Sequence, residues 1–460
     1  MHPHAETSVA SEPFFADLRG REFARLDAQH QAYLDYTGSG LYPASLVDDH
    51  ARRLREGVFG NPHSAHAPSR ASTAVMEEAR AAVLRFLDAD PDDYTVIFTG
   101  NASAAIKLVG ESYPFGPGGA YVLAADNHNS VNGIREFARR AGAGIRYVAL
   151  DDELRLVGAE AALAGAAAAA AAGKAPRLFA YPAQSNFSGV KHSLDLIAAA
   201  RRLGFHVLLD AAAYVPTNAL SLRAHPADFV AVSFYKIFGY PTGVGALVAR
   251  LDALARLERP WFAGGTVDFV SVQNDRHQLA GAPERFEDGT PDFLNIAAVA
   301  PGIAFMETLG MARLSERVRA LTAALIGALE SLTHGNGRPL VVLYGPRTMD
   351  RRGSTVSFNL VDAAGRPVPF ADVEARARDA GVSVRGGCFC NPGAGEKAFG
   401  LSAPDADRCM TETAERFTLE RFAECMGRGV AVGAVRASVG MATTAADVQR
   451  AVDVLASFAE

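Results

Sequence analysis

Phe205-His206-Val207-Leu208-Leu209-Asp210 and Phe229-Val230-Ala231-Val232-Ser233-Phe234-Tyr235-Lys236-Ile237-Phe238-Gly239 are two short apolar runs; one ends on a carboxylate, the other on a lysine in a glycine-rich turn. Apolar residues without alternation predict strands buried on both faces, as in a parallel sheet covered by helices. A charged residue closing such a strand falls at the carboxyl edge of the sheet, where open α/β proteins bind ligands. Working outward, strands read at Tyr94–Thr99, Tyr121–Ala124, Ile145–Ala149, Leu178–Tyr181, Val207–Asp210, Phe229–Ser233 and Gly245–Ala249. Helices read at Ser72–Leu87, Ala102–Glu111 and Leu194–Leu203. The alternation predicts an α/β fold: a large domain with a mostly parallel seven-stranded sheet sandwiched by helices. The Gly165–Gly173 run of small residues is either a helix or an expanded loop and carries no chemistry. Beyond residue 300 the pattern becomes a long helix over Gly302–Leu332, strands near Leu340–Leu343 and Thr355–Leu360, a helix over Ala371–Ala380 and a terminal helix from Ala445. This predicts a smaller α+β C-terminal domain. The expected division is 1–40 as an N-terminal segment packing on the small domain, 41–300 as the large domain and 301–460 as the small one.

At roughly 150 residues per domain, 460 residues allow about three domains, or fewer if one is a large α/β domain. Apolar residues make up 49% and charged residues 21%, the balance of a globular protein. Lys plus Arg is 45 against 51 Asp plus Glu, a net charge of −6, so no basic field points to nucleic acid or an anionic membrane. No leader pattern opens the chain and no run reaches the ~20 apolar residues of a membrane span, so the expected address is cytoplasmic, with no membrane partner. Four cysteines, Cys388, Cys390, Cys409 and Cys425, all lie in the last fifth of the chain. That is not the usage of a disulfide-stapled secreted protein, and it directs attention to thiol chemistry or metal binding.

Only five of the 45 basic residues are lysine: Lys107, Lys174, Lys191, Lys236 and Lys397. A guanidinium cannot replace an amine that does covalent chemistry, because it stays protonated. Lys236 sits at a strand end among apolar neighbours, where desolvation lowers the pKa and makes the amine a nucleophile for a carbonyl. The plain alternative is a lysine reaching from a sheet edge into water. Pyridoxal phosphate needs such a lysine for a Schiff base, a carboxylate for its ring nitrogen, a phosphate cradle and usually a stacked ring. Asp210 is placed for the ring nitrogen, though it could instead cap the following turn. Thr99-Gly100-Asn101-Ala102-Ser103 ends a strand and opens a helix, offering N–H groups, a hydroxyl and a helix dipole to a phosphate. His128 follows another strand and could stack on a ring or be purely structural.

These residues, with Asn186 and Arg385-Gly386-Gly387-Cys388-Phe389-Cys390-Asn391-Pro392, stand in the order and spacing of class V, fold-type I pyridoxal-phosphate enzymes, and the chain resembles the cysteine desulfurases from Tyr33-Leu34-Asp35 to Val448. Phe59-Gly60-Asn61-Pro62-His63-Ser64, Lys107-Leu108-Val109-Gly110-Glu111 and Gly387-Cys388-Phe389-Cys390-Asn391-Pro392-Gly393 further resemble the molybdenum cofactor sulfurase branch. The resemblance implies that Lys236 bonds the cofactor, Asp210 pairs with its ring nitrogen, and His128 stacks on the ring and belongs with Lys236 and Cys390 in the catalytic set. It implies that Ala102, Ser103 and Ser233 hold the phosphate, and that Asn186 reaches the cofactor's phenolic oxygen or the substrate. Arg436 would bind the substrate carboxylate, and Thr290 lies in a segment that crosses to a partner's phosphate site, implying a homodimer. The expected reaction converts L-cysteine, or a related amino acid, to L-alanine with a persulfide on Cys390. Branch members continue into a further domain, so the expected sulfur acceptor arrives in trans, as a protein or a small molecule. Two positions depart from ordinary desulfurases: Tyr235 replaces a histidine and Ala213 a glutamine. A third departs from the branch, where Gly395-Glu396 stands in place of another cysteine.

On its own physics, the Cys388–Cys390 loop between Gly386-Gly387 and Asn391-Pro392-Gly393 reads as mobile and exposed, as a sulfur carrier requires. A metal site would need Cys409 and Cys425 as further ligands at irregular spacing; no metal is expected. Two other readings stay open: a pyridoxal-phosphate C–S lyase acting on a modified cysteine, and a sulfur-carrier or scaffold protein without turnover.

Overall fold

The computed structural model describes residues 3–169, 175–427 and 430–460. Among the described residues fifteen strands run in chain order: β1 (Ala32–Tyr33), β2 (Tyr94–Thr99), β3 (Ala120–Ala124), β4 (Gly144–Val148), β5 (Arg177–Pro182), β6 (His206–Asp210), β7 (Phe229–Ser233), β8 (Gly245–Arg250), β9 (Val267–Ser271), β10 (Arg276–Leu279), β11 (Val341–Tyr344), β12 (Thr355–Leu360), β13 (Val382–Ser383), β14 (Arg385–Gly387) and β15 (Ala434–Ser438). The central sheet has the order β2-β8-β7-β6-β5-β3-β4, and its seven members are the seven expected from the sequence. Only β8 runs against its neighbours, β2 and β7. Every residue of β3 and β7 is buried, which is why these strands read as unbroken apolar runs. Alternate residues serve two cores: Val207, Leu209, Val230 and Val232 face one, whereas Leu208, Phe229, Ala231 and Leu247 face the other. Helices cover both.

This topology puts the carboxyl ends of β2, β3, β5, β6 and β7 along one edge. At the same edge Gly245, the start of antiparallel β8, pairs with both Thr99 and Ser233.

The second sheet is antiparallel, with order β11-β12-β15-β14, and sets Arg436 opposite Ser357 and Arg385. The N-terminal segment joins it: β1 lies parallel to β13, Asp35 bridges Ser438, and Arg19 pairs with Asp447 at 2.7 Å.

Differences from the sequence reading have local causes. The helix expected over Gly302–Leu332 is two, Val299–Leu309 and Met311–Ser331, because Gly310 adopts a left-handed φ of 72°. The helix expected over Ser72–Leu87 spans Ala67–Phe86, capped by the His66 ring, which accepts from Ser69 N. The run of small residues forms the helix Ala159–Ala169, and its part from 170 lies outside the described residues. Cys409 and Cys425 form a disulfide joining the helices Ala403–Thr413 and Leu419–Met426, so neither thiol is free to join Cys388 and Cys390 as a metal ligand. Among the described residues, no single helix is long and apolar enough to cross a membrane; the Phe293–Leu309 and Met311–Ser331 segments, taken together, are bent by 68°.

Candidate active site

The strand ends meet around one cavity. Following β2, Asn101 caps the helix Ala102–Ser112 by accepting from Ala104 N at 2.9 Å. Ala102 N–H donates to Ser233 Oγ at 2.8 Å, and Ser103 N–H has no backbone acceptor among the described residues. Ser103 Oγ lies 2.5 Å from Ser130 Oγ. A helix start with an uncommitted N–H and two adjacent hydroxyls is a cradle for an anion.

After β3 comes His128. Ser130 N–H donates to its Nδ1 at 3.1 Å, so in the neutral ring the proton sits on Nε2. Burial holds this imidazole below its usual pKa, against the opposing pull of Asp210. Asp210 closes β6, buried, with Oδ1 accepting from Ala212 N at 3.0 Å.

Lys236 follows β7 in the short helix Phe234–Phe238. Gly239 ends that helix at φ 77°, and a Cβ there would lie 2.2 Å from the Leu41 carbonyl carbon. Gly40 N–H donates to Tyr235 O at 3.0 Å, so the N-terminal segment braces the lysine turn from behind. Burial pulls the Lys236 amine below its ordinary pKa, with Asp210 opposing. Its Nζ makes no hydrogen bond or ion pair among the described residues, which leaves a nucleophilic amine facing the cavity.

Asn186, beyond β5, also lines the cavity, but its amide is turned to the cysteine loop. Its Nδ2 donates to Phe389 O at 2.7 Å and its Oδ1 accepts from Asn391 Nδ2 at 2.9 Å. Asn391 Nδ2 also donates to Asp126 O, and Asn129 N–H donates to Cys390 O, both at 2.7 Å. Phe389 and Cys390 take left-handed φ values of 56° and 55°. In this arrangement the loop is docked by four hydrogen bonds, and the Gly386–Gly387 pair belongs to β14. Cys390 is exposed and Cys388 half-buried.

Arg436 stands one contact behind this wall. Its Nη1 donates to Asn186 O at 3.1 Å and its Nη2 to Asp35 Oδ1 at 3.0 Å, with the guanidinium 4.7 Å from the Phe389 ring centroid. Thr290 lies apart, exposed, with its Oγ1 accepting from Asn61 Nδ2 at 3.3 Å.

One cavity thus gathers Lys236, Asp210, His128, Asn186 and the Ala102, Ser103 and Ser233 cradle, together with Tyr235 and Ala213. These residues fit pyridoxal phosphate: an amine for its carbonyl, a carboxylate for its ring nitrogen, an imidazole for its face and an anion cradle for its phosphate. Sequence reasoning assigned no role to Asp35, Ser130 or Gln184, the last two of which line the cavity. The available signal for Asp35 was a lone carboxylate within Ala32-Tyr33-Leu34-Asp35-Tyr36.

Comparisons with known proteins agree with this geometry. The chain is 38% identical over 407 residues to molybdenum cofactor sulfurase of Bos taurus, covering 84% of this chain and 46% of that protein. It is 35% identical over 490 residues to the same-named protein of Arabidopsis thaliana, covering 96% and 58%. The chain spans about half the length of these curated relatives. The apo structure of a cysteine desulfurase from Thermococcus onnurineus NA1 superposes with a TM-score of 0.78 at 26% identity, covering 96% of this chain and 97% of that one. The architecture is the fold-type I arrangement expected from the sequence. The model of the aminotransferase class-V family matches residues 32–451, and with its sheet order and strand-end lysine the chain belongs to that family.

Proposed function

We propose that the protein is a pyridoxal-phosphate-dependent cysteine desulfurase, which converts L-cysteine to L-alanine and leaves a persulfide on Cys390. The observation that carries this reading is the hydrogen-bonded link from the cavity wall at Asn186 to both sides of Cys390. When bound, the cofactor supplies an electrophilic carbon for the substrate amine and a conjugated ring that accepts electrons from the substrate. Lys236, its amine drawn below its ordinary pKa by burial, takes the α-proton and returns one to the product. Asp210 holds a proton at the ring nitrogen, and Arg436 orients the substrate carboxylate. His128 packs against the ring as an uncharged imidazole.

The Cys390 thiolate then attacks the substrate sulfur. An S–S bond forms and the substrate C–S bond breaks. The electron pair stays with the substrate carbon, which is protonated and leaves as L-alanine. The step is redox-neutral overall. Cys388 is the weaker choice of nucleophile, because burial and the neighbouring Cys390 push its thiol up in pKa, and the thiolate is the reactive form.

Exposed Cys390 suits an acceptor that comes to it, a separate protein or a small-molecule thiol. A homodimer belongs to the same proposal: Thr290 is outside its own chain's cavity, and the hairpin β9–β10 presents exposed Phe269 and Val272. We further propose a cytoplasmic address and no nucleic-acid partner; cell fractionation and a binding titration with DNA test these.

The deciding experiment is mass spectrometry of the holoenzyme after exposure to L-cysteine, with one added sulfur expected on the Cys390 peptide. Cys390→Ser should bind cysteine without releasing sulfide, and Cys388→Ser should keep most activity. Sulfide release by Cys390→Ser at the wild-type rate would replace this reading with the C–S lyase.

A further inference from the structure

The carboxylate of Asp35 sits between two guanidinium groups. Arg385 donates to it from Nε at 2.9 Å and from Nη2 at 2.6 Å, and Arg436 donates from Nη2 at 3.0 Å. The arrangement is built: Asp35 and Arg436 are both buried, and a Cβ on Gly38 would lie 2.5 Å from Asp35 Oδ2, so glycine makes room for the carboxylate. With Nη1 on Asn186 O and Nη2 on Asp35, Arg436 keeps a buried Nε–H that has no acceptor. A buried donor without a partner is costly, and this one marks a guanidinium that its own chain leaves incompletely satisfied. Two permanent positive charges and one negative charge leave this cluster with one net positive charge, and the field of both arginines reaches Lys236 in the cavity.

We propose that Asp35 is a specificity-determining residue: by neutralising one of the two arginines, it matches the site to an α-amino acid with a single carboxylate and an uncharged side chain, and turns away one bearing a second anionic group. The inference rests on Arg436 as the site of the substrate carboxylate, but not on sulfur chemistry. Asp35 acts through Arg385 and Arg436 and is a positioning residue, not a catalytic one.

Calorimetric titration of the holoenzyme with L-alanine and with L-aspartate tests it without turnover. Wild type should prefer L-alanine. Asp35→Asn keeps the shape of the side chain and should shift the affinity ratio toward L-aspartate by about tenfold or more, as expected for an added unit of charge near a partly buried site. Asp35→Glu should restore the wild-type ratio, which a purely structural role would not require. Should Asp35→Asn fail to fold, Arg385→Gln shifts the ratio the opposite way, further against L-aspartate. An unchanged ratio in a folded Asp35→Asn or Arg385→Gln protein overturns the proposal, as does a wild type that binds neither probe. Absence of sulfide from L-cysteine with the ratio shifts intact would instead overturn the desulfurase reading and leave this one standing.

Discussion

Asn391 Nδ2 lies 2.9 Å from Asn186 Oδ1, so the residue following the candidate nucleophile is tied directly to a wall of the cofactor cavity. Asn391 is fully buried and also caps the helix Pro392–Phe399 by accepting from Ala394 N. Its donation to Asn186 Oδ1, together with the donation of Asn186 Nδ2 to Phe389 O, fixes the orientation of the Asn186 amide, while its second donation goes to Asp126 O.

Replacing Asn391 by Ala removes the cap and leaves buried partners unsatisfied. A loss of about 2–3 kcal/mol in stability is expected, from one cap and at least one orphaned buried group. The first persulfide should form at least ~10-fold more slowly, while amino-acid affinity holds, because the loop loses its docking and not the cavity its walls. Thermal melting and quenched single-turnover mass spectrometry read the two effects separately.

The Arg436 guanidinium should matter in a different kinetic constant. Arg436→Ala removes a charged hydrogen-bonding partner of the substrate carboxylate, which costs about 2–4 kcal/mol and lowers kcat/KM roughly 30- to 1,000-fold. Cofactor content should stay the same, since Arg436 is not among the residues that fit the cofactor's carbonyl, ring nitrogen, ring face or phosphate. Steady-state kinetics on L-cysteine with a cofactor assay checks both.

His128 sets a pH dependence of the cofactor-free protein. Burial lowers its pKa in the folded chain, so below about 6.5 the unfolded chain binds a proton that the folded chain does not. Stability therefore falls as pH falls from that value toward the lowered folded pKa, below which the loss stops growing. His128→Gln should flatten the acid side of a plot of melting temperature against pH.

The Cys409–Cys425 disulfide closes a loop with a sequence separation of 16, worth about 3 kcal/mol to the connected helices by chain entropy. A Cys409→Ser protein should melt earlier and yet form the Cys390 persulfide at the wild-type rate. Dithiothreitol should raise steady-state turnover of both proteins equally, by discharging the persulfide, which differential scanning calorimetry and sulfide assays distinguish from loss of the disulfide.

Some of the site was legible because its signals are local. Asp210, Ser233 and Lys236 each follow an apolar run within a few residues, and a strand buried on both faces writes itself as such a run. The cradle at Ala102 and Ser103 was readable for the same reason, a strand end meeting a helix start. The β14 and β15 strands were not, since Arg385–Gly387 is rich in glycine and Ala434–Ser438 carries an arginine in its centre. The docked state of the cysteine loop was also hidden, because its glycines suggest freedom and the partners that hold it, Asp126, Asn129 and Asn186, lie far away in the chain.

By itself the sequence determined the central sheet, the strand-end positions of the lysine and carboxylate, and the membership that those motifs imply. Only the tertiary structure decided that Asp35 divides its charge between Arg385 and Arg436, 350 and 401 positions away, and that Asn186 holds Asn391, 205 positions away. Burial periodicity is a property of neighbouring residues and shows in any short window. A hydrogen bond between distant side chains depends on how whole strands and loops come to lie against one another. Here the pairing of β14 with β15 and the bridge of Asp35 to Ser438 set the three charges side by side.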